Sequence, residues 1–213
     1  MSVPSFLLPV TLIAPPPGAL MVNLSPPVGG AAGSYVLTAF SMQTQQANNW
    51  CWAAVSVSVA IFFGSGGWTQ CRLAGQELSA TCCVSPVPGP CDRAWYLDRA
   101  LARVGHFDRI DYTSEPFSTV QSEINTGRPL GCRIAWAAGL AHFVAIGGWQ
   151  VASDGAEFVD VFDPYYGAST LPYATFVSGY RSPGDMWTHS YFTLSSAVAL
   201  GGYVADPSAP LSA

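Results

Sequence analysis

Hydrophobic and polar positions follow one rhythm before Pro129 and another after it. Residues 49–63 are apolar on every side except at Ser56 and Ser58, which predicts a helix buried between two layers. Gly64-Ser65-Gly66-Gly67 ends it, and Asn48 or Asn49 is the predicted cap. A second short helix is predicted over 70–79. Ala94, Leu97, Leu101 and Val104 form a stripe at helical spacing, with Gly105 as the stop of a third. Ser118-Thr119-Val120-Gln121 has the pattern of a capping box opening a fourth helix that ends near Asn125. Beyond Pro129 the pattern turns to strands, predicted over 130–136, 142–150, 157–162 and 191–195 between glycine-rich turns. A helical first half followed by an antiparallel second half is an α+β arrangement, with a cleft between the halves.

The ends read differently. Residues 1–40 form a Pro/Gly-rich extended arm, 41–200 one domain, and 201–213 a tail. Residues 1–20 are apolar but broken by Pro4, Pro9 and Pro15-Pro16-Pro17, and lack the basic start of a secretory signal. The arm is a candidate cover for the cleft, an idea that fails if its deletion leaves activity unchanged.

Composition narrows the function. With 50% hydrophobic and 10% charged residues, the chain has to bury much of itself or meet a partner. No apolar run is long enough to span a membrane, and 54–63 reads as a central core helix. A net charge of −5 with no basic stripe argues against nucleic acid. All eight basic residues are arginine. Absence of lysine fits either escape from ubiquitination in a host cell or biased composition, and composition is the simpler reading.

Chemistry concentrates in Gln45-Gln46-Ala47-Asn48-Asn49-Trp50-Cys51-Trp52-Ala53-Ala54. Cys51 stands where the apolar helix begins, and unpaired N–H groups at a helix start favour thiolate over thiol. A glutamine amide just upstream can donate to a developing oxyanion. A base is available in Ala141-His142-Phe143, and an acid in Asp163-Pro164-Tyr165-Tyr166-Gly167. A hairpin between the strands carrying His142 and Asp163 brings both to one end of a sheet.

These motifs, Asn-Trp-Cys-Trp-Ala-Ala at 49–54, Ala-His-Phe at 141–143 and Asp-Pro-Tyr-Tyr-Gly at 163–167, resemble the papain-like cysteine proteases. The nearest branch is the bacterial one containing staphopains and plant-pathogen avirulence proteases. Gln70-Cys71, Cys82-Cys83 with Cys91, Gly127-Arg128-Pro129 and Trp187-Thr188-His189-Ser190-Tyr191 extend the resemblance across about residues 40–195. It implies the two-part papain-like fold and a set of Cys51 as nucleophile, His142 as base, Asp163 as orienting acid and Gln45 as oxyanion donor. Gln45 is preferred to Gln46 because the family pattern places this glutamine six residues before the cysteine. No cofactor or metal is implied. The expected partners are a protein or peptide substrate and, for a secreted or delivered toxin or effector, an inhibitor or immunity protein.

Each residue has a plainer reading. Cys51 can be an inert core thiol, His142 a satisfied strand histidine, and Asp163 a turn former before proline. Trp50 and Trp52 serve core packing at least as readily as a substrate wall. Asp160 is the second choice for the acid. His106 reads as a loop residue, and His189 as a group standing behind the site. Cys71, Cys82, Cys83 and Cys91 crowd into a short stretch, which favours two disulfides and an oxidising compartment over zinc, with three connectivities open. Cys132 is the leftover, a buried thiol. The same nucleophile also serves deamidation or acyl transfer, and a non-catalytic binding module is the rival from another class.

Overall fold

The helix predicted at the nucleophile is the most enclosed element of the molecule. The structure is a computed structural model that describes residues 33–137 and 139–195. Helix α1 (Cys51–Phe62) has every residue from Cys51 to Ala60 buried. Its two polar residues do not disturb the core, because Ser56 and Ser58 donate to the carbonyls of Trp52 and Ala54 at 2.8 and 2.7 Å. Around it lie α2 (Gln70–Leu78) and α3 (Leu97–Arg103), whose apolar faces close the helical half. Thr69 caps α2 by accepting from the Arg72 N–H, and Ser79 ends it in the left-handed conformation.

The second half is one antiparallel sheet. Strands β1 (Gly33–Val36), β2 (Phe107–Asp111), β3 (Leu130–Ala135), β4 (Ala141–Val151), β5 (Glu157–Asp163), β6 (Gly167–Pro172) and β7 (Met186–Thr193) pair in the order β2-β7-β3-β4-β5-β6, with β1 added on β4. Strand β3 pairs with Ala141–Ile146 and β1 with Gly148–Val151, so the two lie end to end along one edge of β4. Between these segments the β4–β5 register shifts, and Gly147 passes so close to Phe162 that a Cβ would sit 2.7 Å from its ring. Any side chain there would have to displace the Phe162 ring. Helices α4 (Phe117–Asn125) and α5 (Tyr173–Ser178) complete the layers.

Several expectations change. Residues 33–40 of the arm predicted over 1–40 belong to the fold, since Gly33–Val36 is a strand and Leu37 and Phe40 are buried in the core. Residues 1–32, 196–200 and the tail 201–213 lie outside the described residues. Neither Asn48 nor Asn49 caps α1; Trp50 holds that position, and the Asn49 amide is engaged by Asp92 instead. The capping box at Ser118 is not formed, because α4 already starts at Phe117, behind Pro116. Among the described residues no helix is long and apolar enough to cross a membrane.

Candidate active site

The sheet brings together half of the site. The β4–β5 ladder ends at Ala145 and Phe162, and just beyond it His142 Nε2 lies 2.9 Å from Asp163 Oδ1. Both side chains are fully enclosed. Asp163 Oδ1 also accepts the backbone N–H groups of Tyr165 and Tyr166 at 2.7 and 2.9 Å, and Oδ2 accepts the Tyr180 hydroxyl at 2.8 Å. The turn contacts and the contact with the imidazole thus share one carboxylate oxygen, Oδ1. Being an acceptor, the carboxylate requires Nε2 to carry a proton, and Nδ1 is left without a hydrogen-bond partner.

Electrostatics keep the pair ionised. Burial pulls the imidazole toward its neutral form, but the charge and hydrogen bond of Asp163, followed by Cys51, outweigh it and raise His142 to about 10. For Asp163 burial acts upward, and the charge and hydrogen bond of His142 with the Tyr166 and Tyr165 N–H groups bring it below its usual value. Cys51 contributes to the His142 shift by hydrogen bonding and charge, yet Nδ1 has no partner within full hydrogen-bond geometry.

Aromatic rings enclose the imidazole. Trp136 stacks on His142 with centroids 5.7 Å apart and planes 15° apart, and Tyr166 meets it edge-on at 6.4 Å. Arg181 donates to the Tyr180 hydroxyl at 3.1 Å and lies over the Tyr166 and Tyr180 rings. Sequence reasoning missed Trp136, Tyr180 and Arg181, because nothing local in Ser178-Gly179-Tyr180-Arg181 signals a contact with Asp163.

The loop before α1 is held from both halves. The Gln45 N–H donates to the Pro164 carbonyl at 2.9 Å, tying the loop to the Asp163 turn. Buried Gln70 donates to Gln43 and the Thr44 carbonyl and accepts the Gln46 N–H. The Gln45 amide itself donates to the carbonyls of Ala47 and Asn48 at 2.9 and 2.8 Å, while its buried Oε1 has no partner.

The alternatives separate cleanly. Asp160 binds Gln150 and Thr170 at 3.1 and 2.6 Å, beside Gly148 and away from His142. His106 lies in the loop between α3 and β2, as expected, but is buried, with one nitrogen at Leu194 O and the other at Ser65 Oγ. His189 turns to Thr188 and Tyr112. Trp50 and Trp52 are core residues, each fully buried with its indole N–H bonded to a backbone carbonyl. Disulfides join Cys71 to Cys83 and Cys82 to Cys91, which excludes a zinc site built from these four thiols. Cys132 is a buried thiol pushed well upward by desolvation. Among the described residues no cluster of three or more His, Cys, Asp or Glu side chains is placed to hold a metal.

Comparison with known proteins agrees with this architecture. Residues 36–181 match the family described as papain-like cysteine protease AvrRpt2, which is more than half of the chain. No curated protein matches the sequence. Recombinant stem bromelain precursor superimposes with a TM-score of 0.51 at 12% identity, covering 76% of this chain and 70% of that one. Bromelain from Ananas comosus, solved with the E64 inhibitor, gives 0.49 at 14% identity over 76% of this chain and 98% of that one. At such identity the precursor speaks to the fold alone. Matched over its whole central region and folded as α+β with a helix-borne cysteine, the chain belongs to the AvrRpt2 family of papain-like cysteine proteases.

Proposed function

We propose that the chain is an endopeptidase hydrolysing peptide bonds through Cys51, His142 and Asp163, with Gln45 and the Cys51 N–H serving the oxyanion. One observation carries the reading: Asp163 engages Nε2 of His142 at 2.9 Å and leaves the buried Nδ1 without a hydrogen-bond partner, while Cys51 acts by hydrogen bonding and charge on the same imidazole. The Cys51 thiolate attacks the peptide carbonyl carbon, forming a C–S bond, and the carbonyl oxygen takes the negative charge. The C–N bond then breaks, and the leaving amine takes the proton held on His142. Water attacks the thioester and gives a proton to His142. The C–S bond breaks, the acid product leaves, and Cys51 and His142 regain their starting state. Gln45 joins this cycle if one amide N–H exchanges its Ala47 or Asn48 carbonyl for the substrate oxygen.

A secreted or host-delivered bacterial protease, toxin or effector is the biological setting. The two disulfides support passage through an oxidising compartment. Its partners are then a protein or peptide substrate and a dedicated inhibitor or immunity protein.

Incubation with an unfolded protein in heavy-oxygen water, read by mass spectrometry, tests the reaction. New C-termini carrying heavy oxygen, absent with Cys51→Ala, are expected. Glutamine-to-glutamate conversion without cleavage would instead establish deamidation, and label-free amine adducts would establish transfer.

A further inference from the structure

Residues 79–96 connect α2 to α3 without a helix or strand, and include Pro86, Pro88, Gly89 and Pro90. Three consecutive residues of this connection, Cys91, Asp92 and Arg93, grip the start of α1. The Trp50 indole N–H donates to the Cys91 carbonyl at 2.7 Å. Asn49 donates its backbone N–H to Asp92 Oδ1 at 2.8 Å, and its amide to the same oxygen at 3.1 Å and to the Asp92 carbonyl at 3.2 Å. The Trp52 indole N–H reaches the Arg93 carbonyl at 3.0 Å. These three donors bracket Cys51, two on one side and one on the other.

We propose that the loop at Cys91–Asp92–Arg93, pinned by the Cys82–Cys91 disulfide, is the positioning element for the nucleophile, with Asp92 as its main polar contact. The proposal rests on Cys51 being the nucleophile. Within the loop only turns hold the chain, with Cys91 and Asp92 N–H groups reaching back to the Pro88 carbonyl at 2.8 and 3.2 Å. The disulfide closes the connection on itself and holds the turn against Cys82, with both cysteines buried at 2% and 1% exposure. No side chain caps the first turn of α1, so its direction depends on these contacts. A small rotation there re-aims both the thiol and the Cys51 N–H, and a displacement of about 1 Å can cost about a hundredfold in rate. The neighbouring disulfide, Cys71–Cys83, closes a loop of similar size, 12 residues against 9, but ties α2 and touches none of the three donors. The two crosslinks should therefore have similar effects on stability and different effects on chemistry.

The test compares Cys82→Ala/Cys91→Ala with Cys71→Ala/Cys83→Ala in the full chain. Turnover, KM, thermal melting and the rate at which an epoxide of the E64 type labels Cys51 are read for each. Both variants should melt lower by similar amounts. Only the first should label and turn over more slowly, by about ten- to a hundredfold with KM little changed. If it does not fold, Asp92→Ala gives the same slow labelling and Asp92→Asn, which keeps an acceptor oxygen, restores most of it. Equal labelling rates in the two disulfide variants, or wild-type labelling by Asp92→Ala, overturns the proposal. Absence of Cys51 labelling in the wild-type protein is a separate result, which removes the nucleophile reading and the proposal with it.

Discussion

The two halves of the site hold their chemistry by different means. On the sheet side, His142 on β4 and Asp163 at the end of β5 meet just past the last pair of the β4–β5 ladder, and a ring of donors and aromatic faces locks them. On the helical side, Cys51 begins a buried helix whose start is steadied by contacts from residues more than forty positions later. One half is fixed by regular structure and charge, the other by an irregular loop and a covalent crosslink. Perturbations of charge and of crosslinking should thus strike the same reaction from opposite sides.

Removing either central group gives the largest effect. Cys51→Ala should abolish cleavage of an unfolded protein while circular dichroism stays native, and His142→Ala should abolish cleavage and slow epoxide labelling. Next comes Asp163→Asn, which keeps acceptors for the Tyr165 and Tyr166 N–H groups but removes the charge that raises His142. Turnover should fall by about 10²–10⁴-fold. The alkaline limb of the labelling profile should also move to lower pH, because the imidazolium loses its partner. An unmoved limb would mean that another group supplies the shift.

Tyr180→Phe is subtler. It strands Asp163 Oδ2 without its hydroxyl donor, and unfolding measurements should find about 1–3 kcal/mol less stability. Turnover should drop less than for Asp163→Asn, with KM unchanged.

The smallest expected effect is on the pH dependence of stability. His142 is raised from 6.5 to about 10, so its contribution is fully present below pH 6.5 and is lost as pH rises toward 10. Asp163 is lowered from 3.8, so its contribution is present above that value and is lost as pH falls through its folded value. Melting curves of the wild type against a His142→Gln/Asp163→Asn double variant should differ most in the wild type's favour at mildly acid pH. The advantage should shrink on the alkaline side.

The sheet side was the more legible half, because its signals are local. Apolar runs outlined β3, β4 and β5, and the hairpin between the last two brought His142 to Asp163 as the residue types required. Helix α1 was legible for the same reason, being apolar on all sides. Contacts between residues distant in sequence were not. Asn49 has the composition of a cap, but its amide is taken by Asp92, so local preference lost to a tertiary contact. Charged Phe107–Asp111 and small, polar Gly167–Pro172 lack the alternation of half-buried strands because both lie at sheet edges. Gly33–Val36 was masked by its proline- and glycine-rich neighbours, and β7 starts five residues before its apolar stretch because polar Thr188 and His189 interrupt the pattern. Tyr180 and Trp136 reach the site only through the folded sheet, and no spacing in the sequence announces them.

The central claim is that Cys51 and His142 form an assembled pair. Reaction of the full-length protein with an epoxide of the E64 type, followed by intact mass and peptide mapping, tests it most directly. The account predicts a single adduct on Cys51 under reducing conditions, and its loss in His142→Ala. An adduct elsewhere, or equal labelling of Cys51 without His142, would contradict it.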